Sequence, residues 1–373
     1  MMIGSTPKTD GFRMPAEYER QDRIWMCWPY RTDVWRDNAA PAGEAFAKVA
    51  SAISEFEPVI MIADESCYEK ARQMLPKEVT VELVSYDDAW ARDIGPTFLV
   101  NESLQKRACD WKFNAWGGEY DGLYDYWEND DRLAAWICNY LGIDRYRTDD
   151  FVLEGGSFHV DGEGTAITTE MCLLSKGRNP HLTRSEIEDH LKMYLNLEKV
   201  IWLKDGIDPD ETNGHVDDIA CFSKPGEVIC INEENSDRPY YDISRSAIKI
   251  LENSVDARNR KIKVRKLCCP QKAVTLPDDY SISSDNGAKG RSPGDVCPAS
   301  YANFLLVNGG VIVPQFGDEN DQRAVYELSE IFPDRKVVGV DTREIIYGGG
   351  NIHCITQQEP LSKLISKTAH KDY

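Results

Sequence analysis

The chain has 373 residues, of which 42% are hydrophobic, which is enough for a large packed core and for one to three domains. Its 43 basic and 63 acidic residues give a formal net charge of −20, which disfavours binding to nucleic acid and to anionic membrane surfaces. No run approaches the roughly 20 apolar residues of a membrane span, and residues 1–15 lack a signal-peptide stretch. We therefore expect a soluble cytoplasmic protein.

Helices and strands are both predicted along the whole chain. Apolar residues at helical spacing predict helices over Pro41–Phe56, Asp131–Leu141 and Ser185–Leu195. Short apolar runs predict strands at five places, which are Pro58–Ala63, Val79–Val84, Val200–Leu203, Lys263–Leu267 and Lys336–Val340. This mixture indicates an α/β fold.

Five segments of the chain share one plan, in which a motif rich in glycine or charge leads into a strand, a turn and a second strand. They are Trp90–Asn101, Leu153–Thr169, Asn213–Asn232, Ala299–Gln315 and Gly348–Thr356. Hairpin turns are indicated in three of them by Asp161-Gly162, Pro225-Gly226 and Asn308-Gly309.

The spacing of the motifs agrees with repetition. Glu154 lies 61 residues after Asp93, and His215 lies 61 residues after Glu154. A unit of this size cannot bury its apolar face alone, so five units could close into a ring and point equivalent loops at one centre. The alternative is an ordinary mixed sheet with coincidental similarity between segments. In the fourth unit, the polar insertion at 277–298 is expected to form a surface loop near the mouth of a central site.

Cys354 is one of eleven cysteines, and none of the eleven has the C-x-x-C spacing of a zinc site. It follows three glycines, and a glycine-rich turn lets backbone N–H groups approach a ligand. We therefore place Gly349 and Gly350 at a substrate. Those N–H groups could also stabilise a thiolate. The structural alternative is a buried cysteine on a strand after a flexible turn.

Two further motifs offer acid–base groups. His215 precedes Asp217 by two residues, so on a strand both side chains would share one face. Glu154 stands at the repeat-equivalent position, between apolar residues and two glycines, where a buried carboxylate needs a partner. Alone, the histidine could be structural and Glu154 could be a surface turn residue.

Asp93 lies in the motif D-D-A-W-A-R-D-I-G-P, close to Trp90 and Arg92. These residues could form a structural ion pair, or a cation site with a carboxylate to bind and an indole to cover. Asp93, Asp217 and Glu154 would place three carboxylates beside the thiol of Cys354. That set repels anions and suits a planar guanidinium, which forms bidentate hydrogen bonds.

The sequence resembles the agmatine deiminases of the guanidino-group-modifying superfamily over nearly its whole length. Beyond the motifs above, the resemblance includes M-P-A-E-Y-E, W-M-C-W-P-Y-R-T-D-V-W-R, F-N-A-W-G-G, V-P-Q-F-G-D and G-G-G-N-I-H-C. It implies a single domain over 1–373 that folds as a five-bladed α/β propeller. It also implies a homodimer, and an activity without metal or other cofactor.

The resemblance also assigns roles. It implies that Cys354 is the nucleophile, that His215 is the general acid–base, and that Asp93 and Asp217 hold the guanidinium. Glu154 would orient His215 and the substrate. The product would be N-carbamoylputrescine, formed through a cysteine-bound amidino intermediate in putrescine and polyamine biosynthesis. The candidates to receive the ammonium tail of agmatine are Trp90, Trp116, Asp88 and Glu211.

Three other functions remain open at this point. Another guanidine deiminase would act on arginine or peptidyl-arginine. A non-catalytic binding protein could use the same scaffold. A papain-like cysteine protease would need an Asn or Asp to orient the histidine and would leave three acidic residues unexplained.

Overall fold

The computed structural model describes residues 1–207, 211–283 and 287–363. In chain order its strands are β1 (Gln21–Cys27), β2 (Val59–Ala63), β3 (Thr80–Leu83), β4 (Thr97–Val100), β5 (Lys106–Lys112), β6 (Arg145–Val152), β7 (Phe158–Val160), β8 (Thr165–Thr169), β9 (Lys199–Leu203), β10 (Ala220–Lys224), β11 (Glu227–Asn232), β12 (Lys263–Cys268), β13 (Leu305–Val307), β14 (Gly310–Gln315), β15 (Lys336–Asp341) and β16 (Thr356–Pro360).

The helices are α1 (Pro7–Asp10), α2 (Ala40–Ser54), α3 (Tyr68–Met74), α4 (Ala91–Ile94), α5 (Gly118–Asp121), α6 (Asp130–Leu141), α7 (Glu170–Leu173), α8 (Arg184–Leu195), α9 (Tyr240–Glu252), α10 (Asp321–Ile331) and α11 (Arg343–Ile346). Among the described residues, no helix is both long enough and apolar enough to span a lipid bilayer.

The strands form five sheets with one recurring order. In four of them a hairpin of two antiparallel strands is followed by a third strand parallel to the second, as in β4-β5-β6, β7-β8-β9, β10-β11-β12 and β13-β14-β15. Each parallel step contains at least one helix, because a parallel neighbour requires a long crossover. The predicted mixed α/β fold with five repeated units is confirmed.

The remaining sheet joins the two ends of the chain. Its order is β16-β1-β2-β3, and β16 pairs antiparallel with β1 from Gln21↔Pro360 to Met26↔Thr356. The fifth unit therefore takes its first strand from the end of the chain and the others from its beginning. This pairing is the one that a ring of five units requires.

Local signals explain the elements that were predicted. The hairpin turns contain Gly162 and Gly226 at φ of +70° and +74°, a conformation that glycine adopts without strain. Helix α8 begins with a capping box between Thr183 and Glu186 and ends at Asn196 in the left-handed region. The helices predicted at 41–56, 131–141 and 185–195 correspond to α2, α6 and α8, and the five predicted strands are present.

The segment at 277–298 forms no helix or strand within its described parts, 277–283 and 287–298; residues 284–286 lie outside the described residues. It lies against loops from other units. Arg291 donates to the carbonyls of Tyr347 and Gly348 at 2.6 and 2.7 Å, so this segment covers the glycine turn that precedes Cys354.

Candidate active site

The five units each present a short turn just before their first strand, and these turns meet. Three are helical: α4, the 3₁₀ turn Gly155–Ser157 and the 3₁₀ turn Val216–Asp218. The other two are residues 300–303 and 351–354, which precede β13 and β16. The turns contain or directly adjoin the five residues predicted to do the chemistry, so their geometry defines the site.

Hydrogen bonds connect four of the five pairs of neighbouring turns directly. Gly156 N donates to Asp93 Oδ1 at 2.8 Å, and Asn303 Nδ2 donates to Asp218 Oδ1 at 3.0 Å. His353 N donates to Asn303 Oδ1 at 3.0 Å, and Arg92 N donates to the Cys354 carbonyl at 3.1 Å.

The remaining pair of neighbouring turns is fixed by close packing. A Cβ added to Gly156 would lie 2.6 Å from His215 Nδ1 and 2.9 Å from Asp217 Oδ2. Glycine is therefore required at this position, because any side chain would displace the imidazole or the carboxylate. The circuit of contacts through the five turns is complete.

The predicted His215 and Asp217 pair lies together, but the expected local structure was wrong. We expected a strand, whereas Val216–Asp218 is a 3₁₀ turn and His215 precedes it in an extended conformation. Both side chains are buried all the same. The turn, rather than strand alternation, directs them to the centre.

His215 lies between two carboxylates. Its Nδ1 is 3.8 Å from Asp93 Oδ2, and its Nε2 is 3.8 Å from Glu154 Oε2. Burial lowers the pKa of His215, but Asp93, a hydrogen bond with Cys172 and Glu154 together raise the pKa well above its ordinary value. His215 is consequently protonated at neutral pH and can donate a proton.

An arginine that the sequence analysis did not predict, Arg178, keeps Glu154 ionised. Arg178 Nε lies 2.7 Å from Glu154 Oε1, and both side chains are fully buried. Burial raises the pKa of Glu154, but Arg178 and His215 hold it below its ordinary value. Arg178 also donates to Asn213 Oδ1 and to the Thr212 carbonyl, each at 2.7 Å. It lies in an irregular segment between α7 and α8, where no motif or periodicity marks it.

Cys354 is almost fully buried, and its thiol lies between Asn303 and Asp217. Its Sγ accepts from Asn303 Nδ2 at 3.2 Å and lies 3.6 Å from Asp217 Oδ2. Burial raises the pKa of the thiol well above its ordinary value, and Asp217, Asp218 and Asp93 raise it further. The repeat could have identified Asn303, because it precedes the first strand of the fourth unit as Cys354 does in the fifth.

Asp217 is held by a second residue that sequence reasoning did not single out. His353 Nδ1 lies 2.8 Å from Asp217 Oδ2, and His353 Nε2 lies 2.8 Å from Glu17 Oε1. Burial raises the pKa of Asp217, but His353 lowers it below its ordinary value. Arg92 Nη1 lies 3.3 Å from the same Glu17 oxygen. A buried network therefore keeps Asp217 ionised, while its Oδ1 has no hydrogen-bond partner among the described residues.

The predicted tail-binding residues separate into an inner and an outer group. Trp90 and Gly350 line the wall beside Cys354, since a Cβ on Gly350 would lie 2.7 Å from the Trp90 ring and 3.1 Å from Cys354 Sγ. Gly349 and Glu211 lie further out, where Glu211 pairs with Arg291.

The other two predicted tail-binding residues, Trp116 and Asp88, hydrogen-bond to side chains that line the site. Trp116 donates to Asp93 Oδ2 at 2.8 Å. Asp88 accepts from Trp35 Nε1 at 2.9 Å, from Trp90 Nε1 at 2.7 Å and from the Tyr124 hydroxyl. Trp116 therefore fixes a carboxylate of the site, and Asp88 fixes the indole of Trp90.

Comparisons with known proteins agree with this geometry. A sequence model of the Porphyromonas-type peptidyl-arginine deiminase family matches residues 13–360, so the chain belongs to that family. An agmatine deiminase of Pseudomonas aeruginosa is 49% identical over 96% of this chain and 98% of its own.

Solved structures are similar over the same length. An agmatine deiminase of Enterococcus faecalis, solved while catalysing its reaction, has a TM-score of 0.95 and 56% identity over 96% of this chain and 98% of its own. A substrate-bound agmatine deiminase of C. jejuni has a TM-score of 0.80 and 26% identity, over 94% and 97% of the two chains.

The first prediction concerns His353. We expect His353→Gln to lower kcat/KM about 10- to 100-fold, the effect of losing a hydrogen bond to a charged group. Because His353 lowers the pKa of Asp217, its loss should also move the acidic limb of the pH–rate profile to higher pH. The exposed His181 provides the matched control, and His181→Gln should change neither quantity. A lower rate with an unmoved acidic limb would mean that His353 is only structural.

The second prediction concerns the free thiol. Because the pKa of Cys354 is raised, little thiolate exists at neutral pH. We expect alkylation of Cys354 by neutral iodoacetamide to be slow at pH 7 and still increasing above pH ~8.5, the ordinary thiol pKa. Peptide mass spectrometry measures the rate. Asp217→Asn removes one neighbouring anion and should move the profile to lower pH. A plateau reached below pH 7 would contradict the raised pKa.

Proposed function

We propose that this chain is an enzyme that hydrolyses agmatine to N-carbamoylputrescine and ammonia, in putrescine and polyamine biosynthesis. The observation that supports this most directly is the buried centre, where the His215 imidazole lies 3.8 Å from oxygens of Asp93 and Glu154, and Cys354 Sγ lies 3.6 Å from Asp217 Oδ2. Full-length relatives that act as agmatine deiminases support the same substrate. The partner of the site is a small cationic molecule.

Asp93 and Asp217 bind the guanidinium in this proposal. Asp217 Oδ1 is buried with no hydrogen-bond donor in the part of the chain that the structure describes, and such an oxygen costs stability until a donor reaches it. Asp93 is held by Trp116 and by Gly156 N, so its orientation is fixed before substrate arrives. A planar guanidinium has enough N–H groups to pair with both carboxylates and to place its carbon over Cys354 Sγ.

The substrate itself activates the nucleophile. In the free protein, burial and three aspartates raise the pKa of Cys354. A bound guanidinium places a positive charge beside the thiol and lowers its pKa, because the cation stabilises the thiolate. The thiolate therefore forms mainly when its electrophile is present. In the free protein the group stays a thiol, and it is therefore protected from unrelated electrophiles.

His215 moves the protons in two steps. The Cys354 thiolate adds to the guanidinium carbon, protonated His215 gives its proton to one nitrogen, and ammonia leaves. An amidino group is then bound to sulfur. Water enters the vacated position, and neutral His215 removes one of its protons as the oxygen adds to the carbon. The carbon–sulfur bond then breaks, and the second proton of the water leaves to solvent, where the released ammonia becomes ammonium, so that the neutral urea product is released. Cys354 leaves as the thiolate, and His215 is protonated again. Glu154 and Asp93 stabilise the imidazolium from both sides.

The ammonium tail lies toward Glu211 in this proposal. From Cys354 the wall continues through Gly350 and Trp90 to Gly349, beside which Glu211 Oε2 would lie 3.1 Å from an added Cβ. Of the candidates, Glu211 is the carboxylate on the outer side. It pairs with Arg291 alone among the side-chain contacts described, whereas Asp88 is buried and already accepts from three side chains. Trp90 would cover the alkyl chain.

Two parts of the proposal concern the whole molecule. The chain is proposed to be a single domain over 1–373, which predicts one cooperative unfolding transition. It is proposed to form a homodimer, as the family resemblance implies, and analytical ultracentrifugation measures that directly.

The test of the proposed function compares ammonia release from agmatine, arginine and a peptidyl-arginine for the wild type and Cys354→Ala. We expect turnover of agmatine only, and loss of that turnover in Cys354→Ala. Cys230→Ala, which removes a buried thiol outside the site, is the matched control and should retain activity.

Each other outcome identifies a different error. A preference for arginine or for peptidyl-arginine would keep the chemistry and overturn the assignment of Glu211 to an ammonium tail. If no guanidine were hydrolysed and Cys354→Ala changed nothing, a non-catalytic binding protein would replace the enzyme.

A further inference from the structure

A second cysteine lies beside the proposed general acid–base. Within the described residues, Glu154, Cys172 and His215 are the one group of three whose ligand atoms could hold a metal ion, and these atoms all lie within 4.8 Å of one another. All three side chains are buried. Cys172 hydrogen-bonds to the imidazole of His215 but forms no bond to substrate in the proposed reaction.

The donor set selects the kind of ion. A thiolate, an imidazole and one carboxylate oxygen form a typical ligand set for Zn²⁺, whereas Mg²⁺ and Ca²⁺ prefer oxygen ligands alone. Zinc bonds to these atoms are about 2.0–2.3 Å long, so the side chains would need to move inward by less than about 1 Å. Asp93, which lies 3.8 Å from His215 Nδ1, favours a dication here, and the buried Arg178 beside Glu154 offsets that preference in part.

The surroundings resemble the outer shell of a metal site. A histidine ligand usually offers its second nitrogen to a carboxylate, and here Nδ1 of His215 is 3.8 Å from Asp93 while Nε2 faces Glu154. Arg178 Nε lies 2.7 Å from Glu154 Oε1, while Glu154 Oε2 lies 3.8 Å from His215 Nε2. Oε1 of Glu154 is therefore on the side of Arg178 and Nδ1 of His215 is on the side of Asp93, and Oε2 and Nε2 face each other.

We infer that Glu154, Cys172 and His215 form a binding site for a thiol-seeking divalent cation such as Zn²⁺. An ion there replaces the proton of the His215 imidazolium and the proton of the Cys172 thiol, and both protons pass to solvent. It therefore occupies the imidazole that moves the protons and inhibits the enzyme reversibly. The inhibition rests on the proposed function, whereas the binding does not. The site differs from one built on Cys354, because Cys354 Sγ faces Asn303 and Asp217.

Binding is tested without turnover. Chelator-treated full-length protein is titrated with Zn²⁺ and, separately, with Co²⁺, whose thiolate charge-transfer absorption reports a sulfur ligand. We expect one tight ion per chain in the wild type and in Cys354→Ala, with the charge-transfer band present in both. Cys172→Ala and Cys172→Ser should lose the band and bind Zn²⁺ at least about 100-fold more weakly, because a thiolate ligand is gone.

Inhibition by Zn²⁺ is measured relative to the metal-free rate of each variant. It should remain in the control Cys230→Ala and be lost in Cys172→Ala. Unchanged Zn²⁺ affinity in both Cys172 variants would overturn the inference, and so would loss of the cobalt band in Cys354→Ala, which would place the ion on the nucleophile. The second outcome can be measured even if the Cys172 variants do not fold. If Zn²⁺ binds as expected but agmatine is not hydrolysed, only the proposed function fails.

Discussion

The site depends on one constraint, which is that five turns from distant parts of the chain contact one another in a closed circuit. Arg92 N reaches the carbonyl of Cys354 across 262 positions of sequence, and Gly156 N reaches Asp93. Each unit has its own sheet, but each turn is fixed by its neighbours. A substitution in one turn therefore displaces the side chains of the next. The small space at Gly156, where a methyl group would meet His215, shows how little freedom remains.

Charge is the second constraint, and it follows from the first. The circuit gathers Asp93, Glu154 and Asp217 in a space from which water is largely excluded, where like charges repel strongly. Two buried cations beside the carboxylates lessen this repulsion. Arg178 pairs with Glu154, and His353 pairs with Asp217. Asp93 retains a raised pKa because burial and its anionic neighbours outweigh His215. The centre therefore still favours a cation, and that preference links substrate binding to thiol activation.

Much of the fold was predictable because its signals are local. Hairpin turns such as Pro225-Gly226, and apolar runs such as Val79–Val84, specify strands within a few residues. Helices α9 and α10 were missed although their patterns are local too: in α10, Ala324, Leu328 and Ile331 are buried at helical spacing. The five-unit plan was visible because each unit repeats the same motif before its first strand.

The site was predictable only in part, because its partners are distant in sequence. Cys354, His215 and Asp93 stand in motifs, so residue type and repeat position identified them. Arg178 and His353 act through ion pairs whose partners only the folded chain brings near, and no spacing encodes such a pair. The error over His215 and Asp217 has a related cause: two residues can point to one place from a strand or from a 3₁₀ turn, and the sequence pattern did not distinguish them.

In the proposed reaction, Cys354 forms a covalent bond to the substrate carbon. The most direct measurement is mass spectrometry of protein quenched by acid during turnover of agmatine, in the wild type and in His215→Asn, where water activation should be slower than in the wild type. We expect an amidino adduct derived from agmatine on the peptide that contains Cys354, and none in Cys354→Ala. Turnover of agmatine in which this peptide is never modified, or an adduct on another cysteine, would contradict the proposed reaction.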